Sequence, residues 1–138
     1  MINKTISGLG QNKFTKNERL CSKKLINDLL IKGKSLSLFP YKITWHTVIT
    51  EDPVPIRVLI NVPKRYFKKA VTRNLLKRRM KEAYRLNKHI LYKYLSDHNK
   101  QINFMIIYIS KEIYKFSDIE KKMIESIMAI IKENEKIT

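Results

Sequence analysis

From Lys64 to Lys88 the chain carries eleven Lys or Arg and one acid, Glu82, while its apolar residues keep helical spacing. Leu76, Met80, Ala83, Ile90 and Tyr94 recur at three- and four-residue intervals and predict a long helix over Val71 to Leu95 with one apolar stripe. At about 100° per residue, Asn74, Arg78, Lys81 and Arg85 fall within roughly 60° of one another, opposite Leu76 and Met80. Lys77 flanks that polar face. Arg73 and Arg79 lie nearer the stripe and are expected to reach sideways, toward sheet edges or the preceding loop. Like charges at this spacing cost helix stability, and the only acid partner at i,i+4 is Glu82 toward Arg78. Such a helix must bury one side and offer the other to a polyanion.

The flanking segments supply something to bury it against. Leu20, Leu25, Ile26, Leu29 and Leu30 suit a short helix over Arg19 to Ile31, ended by Gly33. Tyr41, Ile43, Trp45, Thr47 and Ile49 alternate with polar residues as in a half-buried strand, and Ile56, Val58, Ile60 and Val62 alternate again. The segment Glu51-Asp52-Pro53-Val54-Pro55 between them reads as a turn, and Pro63 ends the second strand. Ile102 to Ile109 is a nearly unbroken apolar run, expected to be a strand buried on both faces. Ser117-Asp118-Ile119-Glu120 has the form of a capping box opening a last helix, with Ile119, Met123, Ile127, Ile130 and Ile131 inward. Residues 1–17, with Gly8 and Gly10, read as a loose arm. The expected whole is one α/β (α+β) domain over residues 1–138.

Charge narrows the partner. The chain of 138 residues has a formal net charge of +17 and a pI near 10.0, which points to a polyanion. A membrane-surface protein would show an amphipathic helix with large apolar residues, yet the one Trp, Trp45, sits in a strand-like segment. Nucleic acid is therefore preferred, with no membrane and no small-molecule substrate. Lys111 to Thr138 has six basic and six acidic residues, so the last helix reads as scaffold. A single cysteine, Cys21, allows no internal disulfide, and no early apolar run resembles a secretory core, so a cytoplasmic location is expected.

The segment A-V-T-R-N-L-L-K-R-R-M-K-E-A-Y-R, Ala70 to Arg85, resembles the Arg-Asn-Arg signature helix of the bacterial ribonuclease P protein family. Ala70, Val71, Arg73, Asn74, Lys77, Arg78, Glu82 and Arg85 match it; Leu75 stands where a second Arg is usual, and Lys81 replaces an Arg. Upstream, V-L-I-N-V-P-K-R places Lys64 and Arg65 on two family lysines, with Pro63 in place of a Ser. Arg19-Leu20 and Gly33-Lys34-Ser35 keep the family's spacing.

The resemblance implies a fold like domain 2 of ribosomal protein S5, α-β-β-β-α-β-α, with a left-handed β-α-β crossover. It implies RNA binding through Lys64, Arg65, Arg73, Asn74, Lys77, Arg78, Lys81 and Arg85. The implied partners are the catalytic RNA subunit and precursor tRNA, whose 5′ leader is removed by Mg2+ ions held through the RNA. The family lines a leader cleft with two aromatics on its first helix. Here those sites hold Ile26 and Leu30, which taken alone read as core packing, so leader contact is expected to shift to Tyr41 or Trp45 or to weaken.

The residues agree with a subunit that has no catalytic side chains of its own. His46, His89 and His98 lie in different elements without a carboxylate pattern, and no spacing suggests a metal held by protein alone. The competing reading is a ribosomal protein or ribosomal-RNA-binding assembly factor, which composition cannot separate from the first.

Overall fold

The structure is a computed structural model and describes residues 14–49 and 54–137. After a single 3-10 turn, Lys16–Glu18, come α1 (Lys23–Lys32), β1 (Lys34–Leu38), β2 (Tyr41–Val48), β3 (Ile56–Asn61), α2 (Ala70–Asp97), β4 (Gln101–Tyr108) and α3 (Phe116–Ile137). The strands form one mixed sheet in the order β1-β2-β4-β3. β1 and β2 make an antiparallel hairpin, β2 pairs antiparallel with β4, and β3 pairs parallel with β4. Parallel neighbours need a crossover, and α2 supplies it.

Strand alternation divides the core between two faces. Tyr41, Ile43 and Trp45 of β2, Ile56 and Val58 of β3, and Ile102, Phe104, Ile106 and Tyr108 of β4 pack against α2 and α3. From α2 this cluster takes Leu76, Met80, Ala83, Tyr84, Leu91, Tyr94 and Leu95, and from α3 Ile119, Met123, Ile127 and Ile130. On the opposite face Met105 joins Leu20 and Leu29, with Leu25, Ile26, Leu59 and Ile107 around them. β4 is thus covered on both sides, as its unbroken apolar run implies. Each large aliphatic buried here contributes about 1.5–3 kcal/mol relative to exposure.

Local chemistry sets the element ends. At the end of α2, Asn99 takes a positive φ of 54°, Lys100 N donates to Leu95 O and Asn99 N to Ser96 O. That closes the last turn as a Schellman motif. A Cβ on Gly33 would lie 2.4 Å from Leu29 O and 2.9 Å from Thr44 Cγ2, so only glycine lets α1 end against β2.

Several boundaries differ from the expectations. The first helix starts at Lys23 and not at Arg19: the Ser22 hydroxyl accepts from Leu25 N at 3.3 Å, while Leu20 N donates to Val58 O at 2.9 Å beside β3. β1, absent from the alternation reading, is an edge strand with only Leu36 and Leu38 half-buried. The capping box at Ser117 does not form, because α3 begins at Phe116 and Glu120 instead accepts from Asn87 Nδ2 at 3.0 Å. Of the arm expected over 1–17, residues 1–13 lie outside the described residues, as do residues 51–53 of the proline turn. Residues 14 and 15 lead into the 3-10 turn that holds 16 and 17, with the Phe14 ring edge-on to Tyr84 at 5.6 Å.

Glu18 fastens this segment to α2. Its carboxylate is buried and accepts from Lys88 Nζ, from Tyr92 Oη at 2.6 Å, and from Thr15 N and Oγ1 at 2.8 Å each. Lys88 itself is 0% exposed. Burial alone would push the Glu18 carboxyl up, but the bonds from Lys88, Tyr92 and Thr15 outweigh it and hold the group below the usual carboxylate range. A carboxyl depressed on folding contributes stability above its unfolded pKa and loses it as pH falls through the folded value. Lys88→Ala, which strands the buried carboxylate, is expected to lower unfolding free energy by about 3–5 kcal/mol in urea titrations at neutral pH. The gap between the parent and Glu18→Gln should be steady near neutrality and close on acidification below 4.5. A gap independent of pH would show that the pair does not titrate with folding.

Candidate nucleic-acid interface

The cations predicted to meet RNA lie on α2 and the segment before it. Lys64 and Arg65 are exposed in the connection between β3 and α2, where the Arg65 guanidinium sits over the Tyr66 ring at 5.0 Å. Asn74, Arg78 and Lys81 are exposed, and Lys77 and Arg85 are partly so. Leu76, Met80 and Ala83 hold the other side of the helix against the sheet, so burial of the stripe turns this face outward.

The face is less acidic than the sequence implies. Glu82 does not pair with Arg78; it takes a two-pronged bond from Arg85, with Nε to Oε1 at 2.9 Å and Nη2 to Oε2 at 2.6 Å. The Arg85 guanidinium holds Glu82 below the usual carboxylate range. No acidic side chain among the described residues pairs with Arg78, Lys81 or Lys77.

Arg73 and Arg79 turn aside, as their angular positions imply. Arg73 Nη1 donates to the carbonyls of Phe67 and Lys68, 2.8 Å each, and ties the preceding loop to the first turns of α2. Arg79 Nη1 donates to Tyr114 O at 2.5 Å, in the connection leading to α3. Both keep their charge near the surface, yet part of their donor capacity is spent on the protein itself.

The leader-contact expectation needs correction. Tyr41 and Trp45 are 0% and 2% exposed, on the sheet face that meets α2 and α3, and Tyr41 Oη donates to Ile119 O at 2.9 Å. Neither ring offers a face to RNA. Their strand's apolar phase is its core phase, a signal the alternation already contains. Ile26 does pack, beside Leu29 and Met105, but Leu30 is 59% exposed and does not. Lys88, the last cation of the basic run, is the buried partner of Glu18 and not part of the exposed face. Sequence analysis also passes over Phe39, an exposed ring at the tip of the β1–β2 hairpin.

No group of three or more His, Cys, Asp or Glu side chains is placed to hold a metal ion among the described residues. No helix among them is long and apolar enough to cross a membrane.

Comparison with known proteins fits this arrangement. The family model described as Ribonuclease P matches residues 14–130. The ribonuclease P protein component of Porphyromonas gingivalis is 31% identical over 117 residues, 85% of either chain. That of Chlorobium phaeobacteroides is 40% identical over 97 residues, 67% of this chain and 65% of its own. Among solved structures, the ribonuclease P protein of Thermotoga maritima superposes with a TM-score of 0.64 at 23% identity, covering 80% of this chain and 94% of that one. A mutant of the Staphylococcus aureus protein gives 0.61 at 19% identity, covering 94% and 96%. With its fold, its basic helix and a match over residues 14–130, the chain belongs to the ribonuclease P protein family, the protein component of an RNA-catalysed enzyme that matures tRNA 5′ ends.

Proposed function

We propose that this chain binds the catalytic RNA subunit through Lys64, Arg65, Asn74, Lys77, Arg78, Lys81 and Arg85. Arg73 acts chiefly as a positioning residue for the loop that carries Lys64 and Arg65. The observation that carries this reading is the outward face of α2, where Arg78 and Lys81 stand without acidic partners on a helix fixed from behind. Such a surface supplies point charges and forks for phosphate oxygens at little ordering cost. The parallel β3–β4 pair that α2 bridges is a β-α-β crossover, and the left-handed sense implied for it by the family resemblance belongs to the same proposal.

Precursor tRNA is the second partner, with its 5′ leader on the α1 face of the sheet. Leu30 is exposed there, and Lys42 points to the same side of β2 as Thr44, against which α1 ends. An aliphatic side chain desolvates a base but provides no π-face. Glu82, the acid within the basic run, is engaged by Arg85. Magnesium, a hard cation, would take its oxygen ligands from RNA phosphates. Protein chemistry is then confined to binding and orientation, in the cytoplasm where precursor tRNA is made.

Arg78→Ala and Lys81→Ala should each flatten the fall of log affinity for the catalytic RNA with log salt by roughly 0.7–0.9, the slope of one phosphate contact. Both should leave stability within about 0.5 kcal/mol. Arg73→Ala should instead cost about 1–2 kcal/mol of stability, because it removes charged bonds to two carbonyls. Equal salt slopes in all variants would remove α2 from the interface. Purified protein without RNA should not cleave precursor tRNA.

Leu30→Phe tests the leader side. By restoring a stacking ring, it should tighten holoenzyme binding of leader-bearing precursor by about 1 kcal/mol or more, with no change for leaderless tRNA. No difference between the two substrates would exclude Leu30 from the leader path.

A further inference from the structure

Apart from α2, one region combines an exposed aromatic, unspent charge and a concave surface. Phe39 at the β1–β2 hairpin tip is 56% exposed. With Pro40, Tyr114, Asp118, Lys121 and Lys122 it lines a pocket of about 320 Å3. We propose that this pocket seats one unstacked nucleotide of the catalytic RNA subunit, its base against Phe39 and its phosphate at Lys121. The inference rests on the function proposed above and adds a contact outside α2.

The pocket is rigidly framed. Ile109 N donates to Pro40 O at 2.8 Å, fixing the hairpin tip to the end of β4. Tyr114 N donates to Tyr108 Oη at 3.2 Å, and its carbonyl accepts from Arg79. Tyr114 then meets Phe39 at 90° with 6.4 Å between ring centres. A large ring left in water forfeits the gain of burial, and stacking on a base would recover it while tolerating many sequences.

Charge assigns the parts. Lys121 is exposed and pairs with no acid among the described residues, whereas Lys122 is engaged by Glu125 at 3.2 Å. Asp118 would repel a phosphate, but its carboxylate suits the exocyclic amino group of adenine, cytosine or guanine. An occupant with a base toward Asp118 and a phosphate toward Lys121 uses both charges; a bare anion does not.

Position assigns the source. The lining residues from α3 place the pocket on the helical face of the sheet, opposite the α1 face where Ile26 and Leu30 lie. Rings run from the Lys64–Phe67 segment to the hairpin tip. Phe67 to Tyr108 is 5.9 Å, Tyr108 to Tyr114 is 6.5 Å, and Phe39 follows. Phe67 and Tyr108 are buried, so the row is a packed support that joins the pocket wall to the segment before α2, while Arg79 of α2 bonds Tyr114 directly. The pocket therefore lies on the α2 side of the sheet and away from α1, which assigns its occupant to the RNA subunit and not to the leader.

The test measures affinity of the full chain for the catalytic RNA at fixed salt, with thermal melts as a check on folding. Phe39→Ala is expected to weaken binding about fivefold or more, and Phe39→Trp to stay within about twofold of the parent. Lys121→Glu, at an exposed position, should also weaken binding at least fivefold, which keeps the test decisive if Phe39→Ala folds poorly. Discrimination between leader-bearing and leaderless tRNA should be unchanged in all three. Parent-like binding by Phe39→Ala and Lys121→Glu would overturn the seat while leaving the α2 interface standing. Loss of leader discrimination would assign the pocket to the substrate and overturn it equally. A parent chain that does not bind the RNA would remove the functional reading as well.

Discussion

A helix that carries like charges along one side is opposed by its own electrostatics, and α2 exists because its other side is held in a core shared by a sheet and a second helix. Leu76, Met80, Ala83, Tyr84, Leu91 and Leu95 are each buried, and removing any large one would cost about 2–5 kcal/mol, more than a few exposed repulsions of tenths each. The same burial fixes the rotation of the helix about its axis. Outward placement of Arg78 and Lys81 is therefore a packing result before it is a binding one.

The Glu18–Lys88 pair extends this control to the start of the described chain. It takes two charges out of water, yet four donors converge on one carboxylate, which is the condition for such a site to be tolerated. Arg19 and Leu20, just after it, run beside β3, so the segment leading to α1 is held at both ends. α1 then lies over β4 with Leu29 inward and Leu30 outward. The position of any leader contact on α1 follows from an ion pair at the opposite side of the sheet.

Much of this was legible in the residues, for reasons that can be named. β4 and α2 declare themselves because one is apolar without interruption and the other keeps a single stripe through dense charge. Spacing alone starts α1 four residues too early, at Arg19, because Leu20 is apolar at helical spacing although it is buried beside a strand. The fate of Lys88 was half legible: Tyr84, Leu91 and Tyr92 at i−4, i+3 and i+4 set it apart from Lys81, but its acid partner is 70 positions away. Tyr41 and Trp45 depart from expectation for another reason. Aromaticity suggested stacking, while their phase along β2, shared with Ile43, already placed them inside. Motif matching singles out candidate residues but not how the fold holds them, since whether Arg73 turns outward or to its own loop depends on where two carbonyls point.

The Arg73 clamp has a kinetic meaning as well. Fixing the backbone of a free residue costs about 1–2 kcal/mol in entropy, and a loop of several residues ordered only on contact would subtract that many times over from affinity. Held to two carbonyls by one guanidinium, the Lys64–Lys69 segment has met this cost in folding. Encounter with a large RNA can then proceed by docking of a preformed surface, without a slow search among loop conformers.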